Sequence, residues 1–286
     1  MMINNRSMNN EKGFTLIELL IAMGMSAILL GAAMYTYTKQ DALLRNENKN
    51  LKLRDYARLA MDQLEGDLRM AGNGFPPGDS TAGRPARGVS NADATTITFM
   101  ANTDGVSTNA SFDFVSVNTN GFFVPQGSSA DFAVGDDVVF FEAENPDKWN
   151  AYPITGLGTT TVGAITYDVI AWSPSDKNDF PFEPIADGVA VLLNKYNTYV
   201  FAYNAGNKWI TQSVNGGGAV TVATKVSSVT FSYFDADGTA LTTLPLSAAD
   251  LGNLRRIQIM LIVEDDDDNT VTATLMTDVN LRNMGT

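Results

Sequence analysis

The chain has 286 residues, 44% hydrophobic and 18% charged, with a net charge of −13. That composition suits one large folded domain or two small ones rather than a disordered chain, and its acidic balance argues against a general nucleic-acid surface. The sequence holds no Cys and no His, which removes disulfides, thiol nucleophiles, Cys/His zinc sites and imidazole acid–base chemistry, and leaves carboxylate catalysis and hard-cation binding open.

Residues Met1–Gly13 read as a short polar leader, with Arg6 and Lys12 against Glu11. From Phe14 to Tyr37 the chain is apolar, and Glu18 is the one charge in the run. As a helix this stretch would span about 36 Å, enough to cross a bilayer with some tilt. It is longer than the apolar core of a secretory signal, and no clear cleavage site follows it. A plain signal anchor, with Glu18 reaching for the interface, is the simple reading. It leaves the carboxylate without a purpose, whereas an ionisable group inside a membrane span calls for a function and a partner.

Beyond the run come Lys39, Arg45, Lys49, Lys52, Arg54 and Arg58 against Asp41, Glu47 and Asp55. Charge bias alone therefore does not favour a cytoplasmic leader. The helical pattern continues: Leu53, Ala57, Ala60, Leu64, Leu68 and Ala71 recur at spacings of three and four as one apolar stripe. Gly72, Asn73, Gly74, Pro76 and Pro77 end it. One helix from Phe14 to about Ala71 would be about 87 Å long, with Gly24 and Gly31 as its weak points.

Residues Gly72–Asn91 are rich in Gly, Pro and Ala and read as a loop. After them the period turns to two. Strands are expected at Thr96–Phe99, Phe112–Val117, Asp137–Phe141, Thr198–Tyr203, Thr221–Thr224, Val229–Phe234, Arg256–Val263 and Thr270–Met276. Turns are expected at Asn215–Gly218 and Asp235–Gly238. The expected class is α+β: a long N-terminal helix packed on a C-terminal antiparallel β domain. The expected division is leader 1–13, helix 14–71 with 14–37 in the membrane, and β domain 72–286.

Four aspartates are the metal candidates, Asp235 and Asp237 in one stretch, Asp265 and Asp267 in another. The first lacks a bidentate Glu at the loop-closing position, where Leu246 stands. Both stretches lie between strand-like runs and read more simply as turns, so no metal and no cofactor is assigned. Trp149, Trp172 and Trp209 are expected in the sheet core rather than in a ligand groove. Arg255 and Arg256 read as a solvated strand edge rather than a DNA contact. Without His, Cys or a nucleophile constellation the chain reads as non-enzymatic, a carboxylate-pair hydrolase being the one open alternative.

The stretch KGFTLIELLIAMG, Lys12–Gly24, resembles the class III leader of type IV pilins and type II secretion pseudopilins. The resemblance implies cleavage after Gly13 by a prepilin peptidase and methylation of the new amino group of Phe14. It also implies that Glu18 pairs with the Phe14 amine of a neighbouring subunit, fixing register because either charge alone is costly to bury. Many major pilins carry a helix-distorting proline where this chain has Tyr35. Leu68–Gly74, Gly135–Val138, Phe231–Gly238 and Val279–Asn283 resemble PilW-type minor pilins, with GspJ-type pseudopilins as the related alternative and an adhesive or DNA-contacting tip subunit as another. The implied partners are the prepilin peptidase, other minor and major pilins, the inner-membrane assembly platform and, before assembly, lipid; nucleic acid is not assumed. The implied location is the inner membrane with a periplasmic β domain, then the pilus.

Overall fold

A computed structural model describes residues 15–76, 88–115, 120–144, 149–172, 190–265 and 271–281. The chain divides into two compact units, residues 1–51 and 52–286. The helix α1 runs from Leu16 to Arg69 without a break, so neither Gly24 nor Gly31 interrupts it. In the first unit its apolar side chains are exposed throughout, from Leu16 to Tyr37.

In the second unit the stripe expected from the sequence is the buried one. Leu53, Ala57, Ala60, Leu64, Leu68 and Ala71 are all in the core, joined by Met61. Side chains three and four apart stack on one helix face, so a single stripe is enough to seat the helix. Two polar ties flank it: Gln212 Nε2 donates to Asp67 Oδ2 at 2.9 Å, and Thr277 Oγ1 donates to Glu65 Oε2 at 3.1 Å.

The β part follows in chain order. The first strands are β1 (Val89–Ala92), β2 (Thr96–Ala101), β3 (Ser107–Ala110), β4 (Phe112–Val115) and β5 (Asn120–Pro125). Next are β6 (Asp137–Glu142), β7 (Trp149–Pro153), β8 (Gly156–Val162), β9 (Ile165–Trp172) and β10 (Val191–Asn204). Then come β11 (Trp209–Val214), β12 (Val220–Ala223), β13 (Val226–Phe234), β14 (Ala240–Leu241), the short helix α2 (Ala248–Asn253), β15 (Arg256–Glu264) and β16 (Thr272–Asn280). All pairings are antiparallel, as expected.

Three sheets result. One follows the path β1-β2-β10-β11-β12, a second β14-β13-β15-β16, a third β4-β5-β9-β8. The strand β10 is the spine of the first sheet, which also holds β3, β6 and β7. Its C-terminal half, Asn197–Asn204, pairs with β2 and β11, while its N-terminal half, from Val191, pairs with β3 and β6. The α1 stripe shares one core with β2, β13 and β15, through Phe99, Phe231 and Ile259 among others. A second core, around Phe122, Phe140, Ile170 and Trp172, lies between the β10–β6 region and the third sheet.

The sequence expectation needs correcting in two places here, at the loop and at the two arginines. The loop expected at Gly72–Asn91 gives way to β1 at Val89, because Val89 and Ala92 are buried against the core while Ser90 and Asn91 face out. The strand expected at Phe112–Val117 is seen as β4 to Val115, its last two positions lying outside the described residues. Arg255 and Arg256 do not mark a sheet edge: β15 lies between β13 and β16.

The end of α1 is clamped to β2. Gly72 N donates to Met100 O at 2.9 Å and Met100 N to Gly88 O at 2.7 Å. Asn73 Nδ2 donates to Asn102 O at 2.7 Å, Asn102 N to Asn73 O at 2.8 Å, and Asn194 Nδ2 to Gly74 O at 2.6 Å. These bonds tie the segment after the helix to the sheet, while Met70 N and Ala71 N close the last turn onto Asp67 O and Leu68 O.

Candidate functional site

The site the sequence points to is the start of α1. Gly13 and Phe14 lie outside the described residues; Thr15 and Glu18 lie within them. Thr15 N donates to Glu18 Oε2 at 2.9 Å, Thr15 Oγ1 donates to the same oxygen at 3.0 Å, and Glu18 N donates back to Thr15 Oγ1 at 3.3 Å. This is a capping box, with Thr15 as N-cap and Glu18 three positions on. Two of the four N–H groups that a helix start leaves unpaired are satisfied inside this segment.

Sequence reasoning missed this role, although its signal was present: Thr15-Leu16-Ile17-Glu18 is a Thr-x-x-Glu pattern ahead of an apolar run. Glu18 thus has a local task as well as the intersubunit task that the resemblance implies. The two are compatible in geometry. Both bonds from Thr15 end on Oε2, and Oε1 takes no part in the box. The segment that follows is long and apolar enough to cross a membrane.

Asp235 and Asp237 sit in a turn. Asp235 Oδ1 accepts from Asp237 N at 3.0 Å and from Thr239 N at 2.7 Å, and Gly238 N donates to Asp235 O at 3.2 Å. An Asp carboxylate bonded to its own backbone two and four residues on is turn chemistry. Asp265 N donates to Val271 O at 3.0 Å, closing the β15–β16 connection; Asp267 lies outside the described residues.

Trp149 and Trp172 are buried. Trp149 meets Phe75 edge-on with centroids 6.1 Å apart, and Trp172 stacks on Phe140 at 4.8 Å. Trp209 departs from the expectation and is 39% exposed. It opens β11 next to Ile210, which is buried, and successive strand residues face opposite ways. The two arginines are internal ties. Arg255 Nη1 donates to Gly252 O at 2.7 Å and Leu254 O at 2.9 Å, at the end of α2. Arg256 Nη1 lies 3.1 Å from Asp278 Oδ1, and its guanidinium lies 4.0 Å from the centroid of the Phe234 ring.

One buried carboxylate escaped notice in the sequence. Asp168 on β9 accepts from Gly127 N at 2.9 Å, Ser129 N at 3.1 Å and Ser129 Oγ at 2.8 Å, all on Oδ2. The Ser129 hydroxyl, then its amide, hold the carboxyl below its ordinary range, the Gly127 amide adding to them against the opposing effect of burial. Its partners are some forty residues away in sequence, so no local pattern could have revealed it.

Residues 8–34 match the prokaryotic N-terminal methylation motif, the prepilin leader signature. The motif stands at the head of an apolar helix that an antiparallel β domain follows, an arrangement similar to that of type IV pilins. Among curated proteins the chain is similar to "Pilin-like protein PilA3" of Thermus thermophilus, 34% identical over 62 residues, which is 22% of this chain and 27% of that protein. The match thus spans about a quarter of that relative's length. No solved structure matches the chain.

Proposed function

We propose that the chain is a minor pilin of the PilW type, a non-enzymatic subunit that joins a priming or tip complex and helps initiate type IV pilus assembly. The observation that carries this reading is the leader motif at residues 8–34, set at the start of an apolar helix whose side chains are exposed. The Leu68–Gly74 run lies at the end of α1 and in its clamp, the place it occupies in PilW-type chains. In this reading residues 1–13 are the leader, 14–37 the membrane segment and 72–286 the β domain. The prepilin peptidase cuts after Gly13, and Phe14 is methylated. The processed chain waits in the inner membrane with its β domain in the periplasm, then joins other pilins through the assembly platform.

Glu18 then pairs through Oε1 with the Phe14 amine of a neighbour while Oε2 holds the capping box. The test separates the two tasks. Glu18→Gln keeps an acceptor for Thr15 and loses the charge; Glu18→Ala loses both. Mass spectrometry of the N-terminus is expected to find both variants cleaved after Gly13, and sheared pili are expected to lack both. A Glu18→Gln chain recruited as well as the unchanged one would show that capping alone matters and overturn the pairing. Absence of cleavage after Gly13 in the unchanged chain would overturn the pilin reading itself.

A further inference from the structure

Among the described residues, the third sheet ends in a strand whose outer edge has no partner. β8, Gly156–Val162, reads GLGTTTV and, among the described residues, pairs with β9 alone. Its register with β9 runs without a shift from Gly156↔Ala171 to Val162↔Ile165. Edge strands are ordinarily protected by charge, Pro, a bulge or brevity; β8 has seven residues and none of these devices. The stretch 149–172 contains a single charge, Asp168, and that carboxylate is buried and turned to Gly127 and Ser129. In a chain of net charge −13, this neutral hairpin is a face on which two copies meet without repulsion.

The backbone pattern is self-complementary. The β8–β9 connection is the two-residue loop Gly163–Ala164, closed by the Val162↔Ile165 pair, which in so tight a hairpin is hydrogen-bonded. The next pair, Thr161↔Thr166, is then of the non-bonded kind, whose side chains approach more closely; their hydroxyls lie 3.3 Å apart. Alternation sends the N–H and C=O of Leu157, Thr159 and Thr161 outward. That set is symmetric about Thr159, the middle of the strand.

We propose that β8 pairs with the β8 of a second copy, antiparallel about a two-fold axis through Thr159. Thr159 faces Thr159 of the other copy, Leu157 faces Thr161, and the third sheet continues across the axis. Such an edge contact is small beside the interfaces of stable dimers, so the association is weak and concentration dependent.

The chain has no native Cys, so one introduced thiol reports cleanly. Facing residues of a bonded antiparallel pair stand about 5.5 Å apart between Cα atoms, within disulfide reach. Full-length Thr159→Cys, in detergent and in native membranes, is expected to form a disulfide-linked homodimer under mild oxidation. Thr239→Cys, exposed on the β13–β14 turn, is not. Thr161→Lys, on an exposed position, restores the missing edge charge; added to Thr159→Cys it is expected to abolish the dimer while the far-UV spectrum is unchanged. Three results overturn the proposal: equal crosslinking at Thr239→Cys, capture of a different protein by Thr159→Cys in place of its own copy, or no adduct with a thiol reagent and no dimer. The last would mean that this edge is covered.

Discussion

Gly88 sits where α1 hands over to the sheet, and its replacement by Ala tests the clamp. Its φ is +86°, a region that costs an L-residue about 1–2 kcal/mol. A Cβ there would stand 2.5 Å from Gly72 N, 2.6 Å from Gly72 Cα and 3.0 Å from Ala71 C. All three are backbone atoms held by the Gly72–Met100 and Met100–Gly88 bonds, so nothing flexible can yield. Overpacking of that kind costs about 1–3 kcal/mol more. The lower unfolded-chain entropy of Ala offsets about 0.4–1 kcal/mol of the sum. The net loss is about 2–4 kcal/mol, a fall in melting temperature of about 5–15 °C for a domain of this size. Gly105 supplies the control, with φ +70° and nothing within 4 Å of a Cβ. Gly105→Ala carries the conformational cost without the clash. Thermal unfolding of the two variants, followed by near-UV circular dichroism, isolates the difference. Equal melting temperatures would refute the claim that the α1 end and β1 are in obligatory close contact.

Leu64 is 0% exposed and Leu59, on the same helix, is 70% exposed; Leu64→Ala is expected to cost about 2–5 kcal/mol in urea unfolding and Leu59→Ala under about 0.5 kcal/mol. Ser247 caps α2, accepting from Asp250 N at 3.2 Å, and Ser247→Ala is expected to cost about 1 kcal/mol in the same assay. Asp168 titrates below its ordinary value in the folded chain, so its stabilising contribution is complete above the unfolded carboxylate pKa and disappears as pH falls through the lowered folded value. Acid unfolding monitored by tryptophan fluorescence is expected to lose part of its pH dependence below about pH 4 in Asp168→Asn.

The helix was legible because its determinants are local: one stripe at spacings of three and four, then Gly, Asn and Pro. Antiparallel β structure was legible as a class for the same reason, since turns such as Asp235–Gly238 announce themselves. Several strands were not. The exposed β8, GLGTTTV, has no buried alternate face to create a period, and β1 is four residues inside a Gly- and Pro-rich stretch. In β10 the expected Thr198–Tyr203 is only the later part: the earlier residues change neighbours, to β3 and β6, and set Asn194, Lys195 and Asn197 among the buried Val191, Leu193 and Tyr196. The short helix α2 carries its own start signal, Ser247 with Asp250 three positions on, and was overlooked. At the candidate site, Glu18 was legible as an exception to the apolar run. The capping box beside it was equally local and was passed over, whereas the Asp168 contacts depend on strands distant in sequence.

One consequence of the shared strand β10 concerns how the β part comes apart. The strands β3 to β9 are inserted in sequence between β2 and β10, which are themselves paired neighbours. The strand that closes the first sheet is extended at its beginning to carry β3 and β6. Peeling the insert away therefore exposes the early half of a strand whose later half lies in the main core, and melting the main core removes the template on which the insert is built. The described strands of the β part are accordingly expected to melt as one unit, in a single calorimetric transition.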